Sequence, residues 1–205
     1  MFSTNSEKKE IEKILTSYLK LPFSPRKIPG DVMENAFAYS RGDEVLNTYD
    51  FVDVINRENK TGWQVKSTKA LTPVTWMRAK LAGSDQLIID SMHSEEALQF
   101  LGDSIIDYCN AHILHSFELY DLEKIGYSRL ISHNNGNIYY FEKLLCTRDA
   151  PILFHKNEFR WNWSDRKNTN GTKEQLSSLQ GIHIASGNKW FSWHGRGENQ
   201  LHFNG

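Results

Sequence analysis

TYDFVDVINRENKTGWQVKST, residues 48–68, is the stretch on which the fold turns. Two short runs rich in Val, Ile, Tyr, Phe and Trp flank a polar segment centred on Glu58-Asn59, the pattern of two strands joined by a turn. Each run also carries polar groups where a core strand would be apolar: Asp50 and Asp53 in the first, Gln64 and Lys66 in the second. Side chains alternate faces along a strand. Trp63 and Val65 are therefore expected to enter a core, and Gln64 and Lys66 to stand side by side on the opposite face.

The flanking sequence predicts mixed helices and strands. Residues 5–20 place Ile11, Ile14, Leu15, Tyr18 and Leu19 at helical spacing, with Thr4 and Glu7 as a capping box. A loop over 21–29 leads to a second helix over about 31–40, closed by Gly42. The hairpin strands span 45–56 and 62–68. Thr72-Pro73 reads as the cap and first position of a helix to about Leu81. The apolar run 86–90 reads as a strand. Ser94 caps a long helix to about Ser116, and Asn134-Asn135-Gly136 joins strands over 125–132 and 137–146. A strand within 152–163, a short helix over Lys173 to Leu179, and a final strand with a Gly-broken tail complete an α/β chain.

The hairpin's polar face has a specific chemistry. An amide oxygen is a hard ligand suited to Mg²⁺. An ammonium group beside it can orient or activate a water, and an aspartate on the preceding strand completes a metal site that stabilises charge on a phosphodiester. An acid, a turn, then (Asp/Glu/Gln)-x-Lys on the next strand resembles the PD-(D/E)XK nuclease superfamily, which includes many type II restriction endonucleases. The resemblance covers about Gly30 to Leu81. It implies a restriction-endonuclease-like mixed central β-sheet flanked by helices, as a single domain over 1–205 with its catalytic core near 30–81. It implies Mg²⁺ as cofactor, catalytic residues Asp50, Gln64, Lys66, Glu34 and Asp53, and a metal set of Asp50, Gln64, Val65 and Asp53. The pattern departs from the family in two ways. Position 64 is Gln rather than an acid, which lowers the site's negative charge, and Tyr49 stands where a proline usually precedes the first acid. Asp50 sits at the strand's start, as the family's first acid does, and is preferred. A two-residue turn at Glu58-Asn59 would instead set Asp53 opposite Gln64. Glu34, three residues after Asp31, also reads as part of a helix cap.

Beyond Lys66, hydroxyls and cations gather in Ser67, Thr68, Lys69, Thr72 and Arg78, residue types that contact phosphates. Residues 150–205 read as a target-recognition region, with Arg166, Lys167, Asn168, Asn170, Arg196 and Asn199 as candidates for base edges. The paired tryptophans Trp161/Trp163 and Trp190/Trp193 fit a packed strand face better than a base platform. The expected substrate is double-stranded DNA at a short site, cut by a homodimer, with a cognate DNA methyltransferase in the same system. A non-catalytic nucleic-acid-binding protein and a protein-interaction domain are the competing readings.

Composition agrees with a globular chain: 39% apolar residues, and 24 basic against 25 acidic residues. The charge is uneven. Nine acids and no Lys or Arg lie between Lys80 and Lys124, so a polyanion would meet the ends of the chain. No apolar run suits a membrane span. The charged segment after Met1-Phe2-Ser3-Thr4 is unlike a secretory signal, and Cys109 and Cys146 are too few for a disulfide framework. A cytoplasmic protein without membrane contact is expected.

Overall fold

A computed structural model describes residues 1–24, 27–48, 50–133, 135–164, 177–195 and 198–204. In chain order the elements are α1 (Asn5–Leu19), α2 (Gly30–Arg41), β1 (Glu44–Val45), β2 (Val54–Asn56), β3 (Thr61–Lys69), β4 (Val74–Arg78), α3 (Ser84–Ser91), α4 (Glu95–Leu119), β5 (Lys124–Ser132), β6 (Ile138–Thr147), β7 (Phe159–Trp163), β8 (Leu179–His183), β9 (Lys189–His194) and β10 (Gln200–Phe203). The class is α/β, with two five-stranded sheets and flanking helices. The chain divides into two compact units, Met1–Thr72 with His112–Leu153, and Pro73–Ala111 with Phe154–Gly205. Among the described residues no helix is long and apolar enough to cross a membrane.

The first unit holds the sheet β1-β2-β3-β5-β6. It is antiparallel at β1–β2, β2–β3 and β5–β6, and parallel at β3–β5. The first two helices form as their sequences dictate. Thr4 caps α1 through the reciprocal bonds with Glu7. Gly42, at φ 69°, closes α2 in the left-handed region that glycine enters without cost. Ile11 and Leu15 of α1 and Met33, Ala36 and Phe37 of α2 pack with Val54, Trp63, Val65 and Leu130 in one core cluster. Trp63 is fully buried and meets the Phe37 ring edge-on at 5.3 Å. Its indole occupies the space over Gly126 of β5, where an added Cβ would fall 2.4 Å from the ring.

A buried ion pair ties the end of α2 to β2. Arg41 Nε lies 2.7 Å from Asp43 Oδ2, with only 8% and 1% of the two side chains exposed. Asp43 Oδ1 also accepts from Asn56 Nδ2 at 2.6 Å. The guanidinium stacks over the rings of Phe37 and Trp63. A pair this deeply buried is tolerated because each charge is matched and further hydrogen-bonded.

The second unit is the antiparallel sheet β4-β10-β9-β8-β7. Its inner face is aromatic, with Trp76, Phe159, Trp161, Phe191 and Trp193 all buried. Trp163 and Trp190 are half-buried.

Two predicted elements exchange type. Residues 74–78 form β4 rather than a helix after Thr72-Pro73. Val74 and Trp76 alternate inward with exposed Thr75 between them, a period of two that outweighs the Pro-based helix start. Residues 84–91 form the helix α3 rather than a strand, burying Ile88 and Ser91 three residues apart. Among the described residues, the first hairpin arm is strand only at 44–45 and 54–56. Between them residues 46–48 and 50–53 are irregular, and Phe51 and Val52 are buried. Of the predicted helix Lys173–Leu179, Leu179 opens β8, and residues 173–176 lie outside the described residues.

The contact of Trp63 with Gly126 yields a direct test. Gly126→Ala is expected to lower stability by about 1–3 kcal/mol through overpacking, although alanine is otherwise the better strand residue. Urea unfolding checks this, and a gain in stability would contradict the packing described.

Candidate active site

The β2–β3 register pairs Val54 with Trp63, Ile55 with Gly62 and Asn56 with Thr61. Residues 57–60 form the connection, with Lys60 at φ 48°. Continued by one residue, this register sets Asp53 across from Gln64, the pairing expected of a two-residue turn at Glu58-Asn59. The Asp53 N–H donates to the Trp63 carbonyl at 2.8 Å. One carboxylate oxygen, Asp53 Oδ2, accepts from the Val65 N–H at 2.7 Å and from Lys66 Nζ at 3.0 Å. Both charged side chains are about one-fifth exposed, 19% for Asp53 and 20% for Lys66. Gln64 is buried, 1% exposed.

Glu34, on α2, belongs to the same electrostatic cluster. Burial first, and then the Asp53 carboxylate, push its carboxyl up to about 6 against the opposing pull of Lys66. The reading of Glu34 as a helix cap does not hold. The residue at the α2 cap position is Pro29, and no side chain caps that end.

The structure places Asp53, rather than the preferred Asp50, beside Lys66. Asp50 instead accepts a hydrogen bond from the Tyr120 hydroxyl, just past α4. That bond, aided by Thr48 and by the fields of His115 and His112, holds the Asp50 carboxyl below its usual range. The reason is local. Residues 46–48 and 50–53 are not strand, so Asp50 sits in an irregular stretch in which Phe51 and Val52 are buried.

The donors around Asp53 match what Mg²⁺ requires. Two carboxylates, Asp53 and Glu34, repel each other enough to raise Glu34's proton affinity, which a cation would relieve. The side-chain amide of Gln64 adds a neutral oxygen donor on the Lys66 face. Mg²⁺ is commonly held by one or two carboxylates with water and phosphate oxygens filling the rest, so these residues fit the ion. Val65 enters through its main chain, whose N–H is already engaged by Asp53. Among the described residues no group of three or more His, Cys, Asp or Glu side chains gathers as a metal site.

Ser67 Oγ donates to the Ile28 carbonyl at 2.7 Å, which ties β3 to the chain before α2. Lys69 is exposed at the end of β3. Thr68 Oγ and the Thr72 carbonyl both accept from Arg129, each at 3.1 Å. The helix start expected at Thr72-Pro73 is absent from its place, since the chain there enters β4. Arg78 is exposed at the end of β4 in the second unit. In that unit Asn199, at φ 54°, accepts from the Ala79 N–H through its main-chain carbonyl at 2.8 Å. Arg166, Lys167, Asn168, Asn170 and Arg196 lie outside the described residues.

Arg129 is the residue that sequence reasoning passed over. The parallel pairing of β3 with β5 aligns it with Lys66. Nothing local in the sequence announces this, because the two strands lie about sixty residues apart. No family model, no curated protein and no solved structure matches this chain.

Glu34 gives the site a pH signature. Its folded value, about 6, lies above the ordinary 4.5, so the folded state holds a proton that the unfolded state releases. In metal-free buffer the stabilisation is full below about pH 4.5 and is lost as pH rises through about 6. After discounting for partial exposure the loss is on the order of 1 kcal/mol. Glu34→Gln should remove this part of the slope and be more stable than the parent at pH 7.5. Chemical unfolding at pH 4.5 and 7.5 in EDTA checks it, and parallel slopes for the two proteins would contradict it.

Proposed function

We propose that Asp53, Gln64, Lys66 and Glu34 form the centre of a Mg²⁺-dependent phosphodiester hydrolase of PD-(D/E)XK type, and that the chain is a type II restriction endonuclease cutting double-stranded DNA at a short site. The observation that carries this reading is the contact of 3.0 Å between Lys66 Nζ and Asp53 Oδ2, with Gln64 two residues before the lysine on the same strand face. The finer fold, a restriction-endonuclease-like sheet, is supported by the mixed pairing of β2, β3 and β5 and by α2 preceding the hairpin.

Asp53 and Glu34 would hold the ion, with the Gln64 amide oxygen as a neutral partner. When bound, Mg²⁺ supplies the positive charge that offsets charge developing on the phosphodiester. Lys66 orients the attacking water and stabilises its hydroxide character, as a preorganised ammonium does in a site shielded from bulk solvent. Asp53 fixes that ammonium in place. Because position 64 is neutral, the site carries less negative charge than one with a third carboxylate and should need a higher Mg²⁺ concentration. A homodimer would match a two-fold DNA site, and a cognate methyltransferase would protect the host's own copies.

Incubation with plasmid and phage DNA of diverse sequence in Mg²⁺ should yield discrete fragments. Lys66→Ala should lower cleavage by about 10²–10⁴-fold while leaving DNA binding measurable. Intact DNA from every source with the parent protein would overturn the reading.

A further inference from the structure

Pairing across β3, β5 and β6 sets side chains in rows on the face that carries Lys66. Lys66 aligns with Arg129 and Arg129 with Phe141, and the next row runs Thr68, Ile131, Tyr139. Adjacent strands are about 4.8 Å apart, so Phe141 stands roughly 10 Å across the sheet from Lys66. All six residues belong to the first unit.

Three properties of this face point to one kind of ligand. Arg129 is held flat by neutral partners, with Nε to Thr68 Oγ and Nη2 to the Thr72 carbonyl, both at 3.1 Å. These partners and the Tyr127 hydroxyl, also bonded to Arg129, are neutral, so the charge is positioned without being offset, and a phosphate can meet the guanidinium N–H groups outside the Nε–Nη2 edge. Phe141 and Tyr139 are large aromatic side chains at 40% and 55% exposure. Each is braced edge-on by a neighbour, Phe141 by Tyr127 at 5.9 Å and Tyr139 by His133 at 4.9 Å between ring centroids. Residues two apart on a strand are separated by nearly 7 Å, about twice the 3.4 Å step between stacked bases of one DNA strand. Two successive bases can rest on these two rings only after they have come apart.

We propose that this face is a stacking platform for a DNA strand with unpaired bases, whose phosphate is held by Arg129 and whose bases lie on Phe141 and Tyr139. Duplex DNA at the cut is therefore opened locally, so that its unpaired bases reach this face. The placement beside Lys66 rests on the nuclease reading above, whereas the binding does not need cleavage.

Fluorescein-labelled dT20 and a blunt duplex of 20 base pairs, each titrated with the full chain in Ca²⁺ and followed by anisotropy, test it. The dT20 strand should bind at least about tenfold tighter than the duplex. The Tyr139→Ala/Phe141→Ala double variant should weaken dT20 binding by about tenfold or more and duplex binding by less than threefold. Arg129→Ala should weaken both and reduce the salt slope by about one. Thermal melting confirms that each variant is folded, and Tyr139→Ala alone serves if the double variant is not. Duplex binding as tight as dT20 binding, or an unchanged dT20 affinity in the folded variants, overturns the platform. A chain with the expected binding pattern that cuts no DNA in Mg²⁺ retains the platform and loses the nuclease reading. A chain that cuts paired and mismatched-bubble duplexes equally, with the double variant unaffected, retains the nuclease and loses the platform.

Discussion

A tryptophan that fits only where the neighbouring strand has no side chain sets the orientation of this site. Trp63 lies over Gly126 and against Phe37, and Val65 enters the same cluster two residues later. Strand alternation then leaves Gln64 and Lys66 no choice of face. Were β3 to slip by one residue, the indole would leave the core and the lysine would enter it, exchanging a large apolar burial for a desolvated charge. The polar face is thus specified by the apolar one.

On that polar face Asp53 is the hub. A single carboxylate oxygen receives a main-chain N–H and an ammonium, so the acid is fixed relative to β3 before any ligand arrives. The same carboxylate raises the proton affinity of Glu34 across from it. The result is a lysine restrained by one acid and facing a second that ionises reluctantly. Such tension between like charges is common where a cation is to be received, and it is also found in purely structural clusters. The neighbouring row extends the positive side through Arg129 and ends in exposed aromatic rings.

Much of this was legible locally. The caps at Thr4 and Gly42, the core faces of α1 and α2, the turn between β5 and β6, and the inward pairing of Trp63 with Val65 follow from short-range rules of capping, turn chemistry and alternation. The choice between Asp50 and Asp53 was not. It depends on the irregular path that buries Phe51 and Val52 and on the partner Tyr120, which lies seventy residues away in sequence. The short segments 74–78 and 86–90 mislead because five residues carry too little periodicity to separate helix from strand. Arg129 stayed hidden because a parallel strand pair joins residues without any local signal, and parallel partners are reached only through a long crossover.

The chemistry of this acid–amide–lysine face depends on its receiving a divalent cation. Calorimetric titration of Mg²⁺ into the parent and into Gln64→Glu measures that most directly. A third carboxylate beside Asp53 and Glu34 should bind Mg²⁺ several-fold more tightly than the parent, whose own binding should be weak but measurable. If neither protein takes up the ion, or if the added acid leaves affinity unchanged, the face is not a metal site and the account fails at its centre.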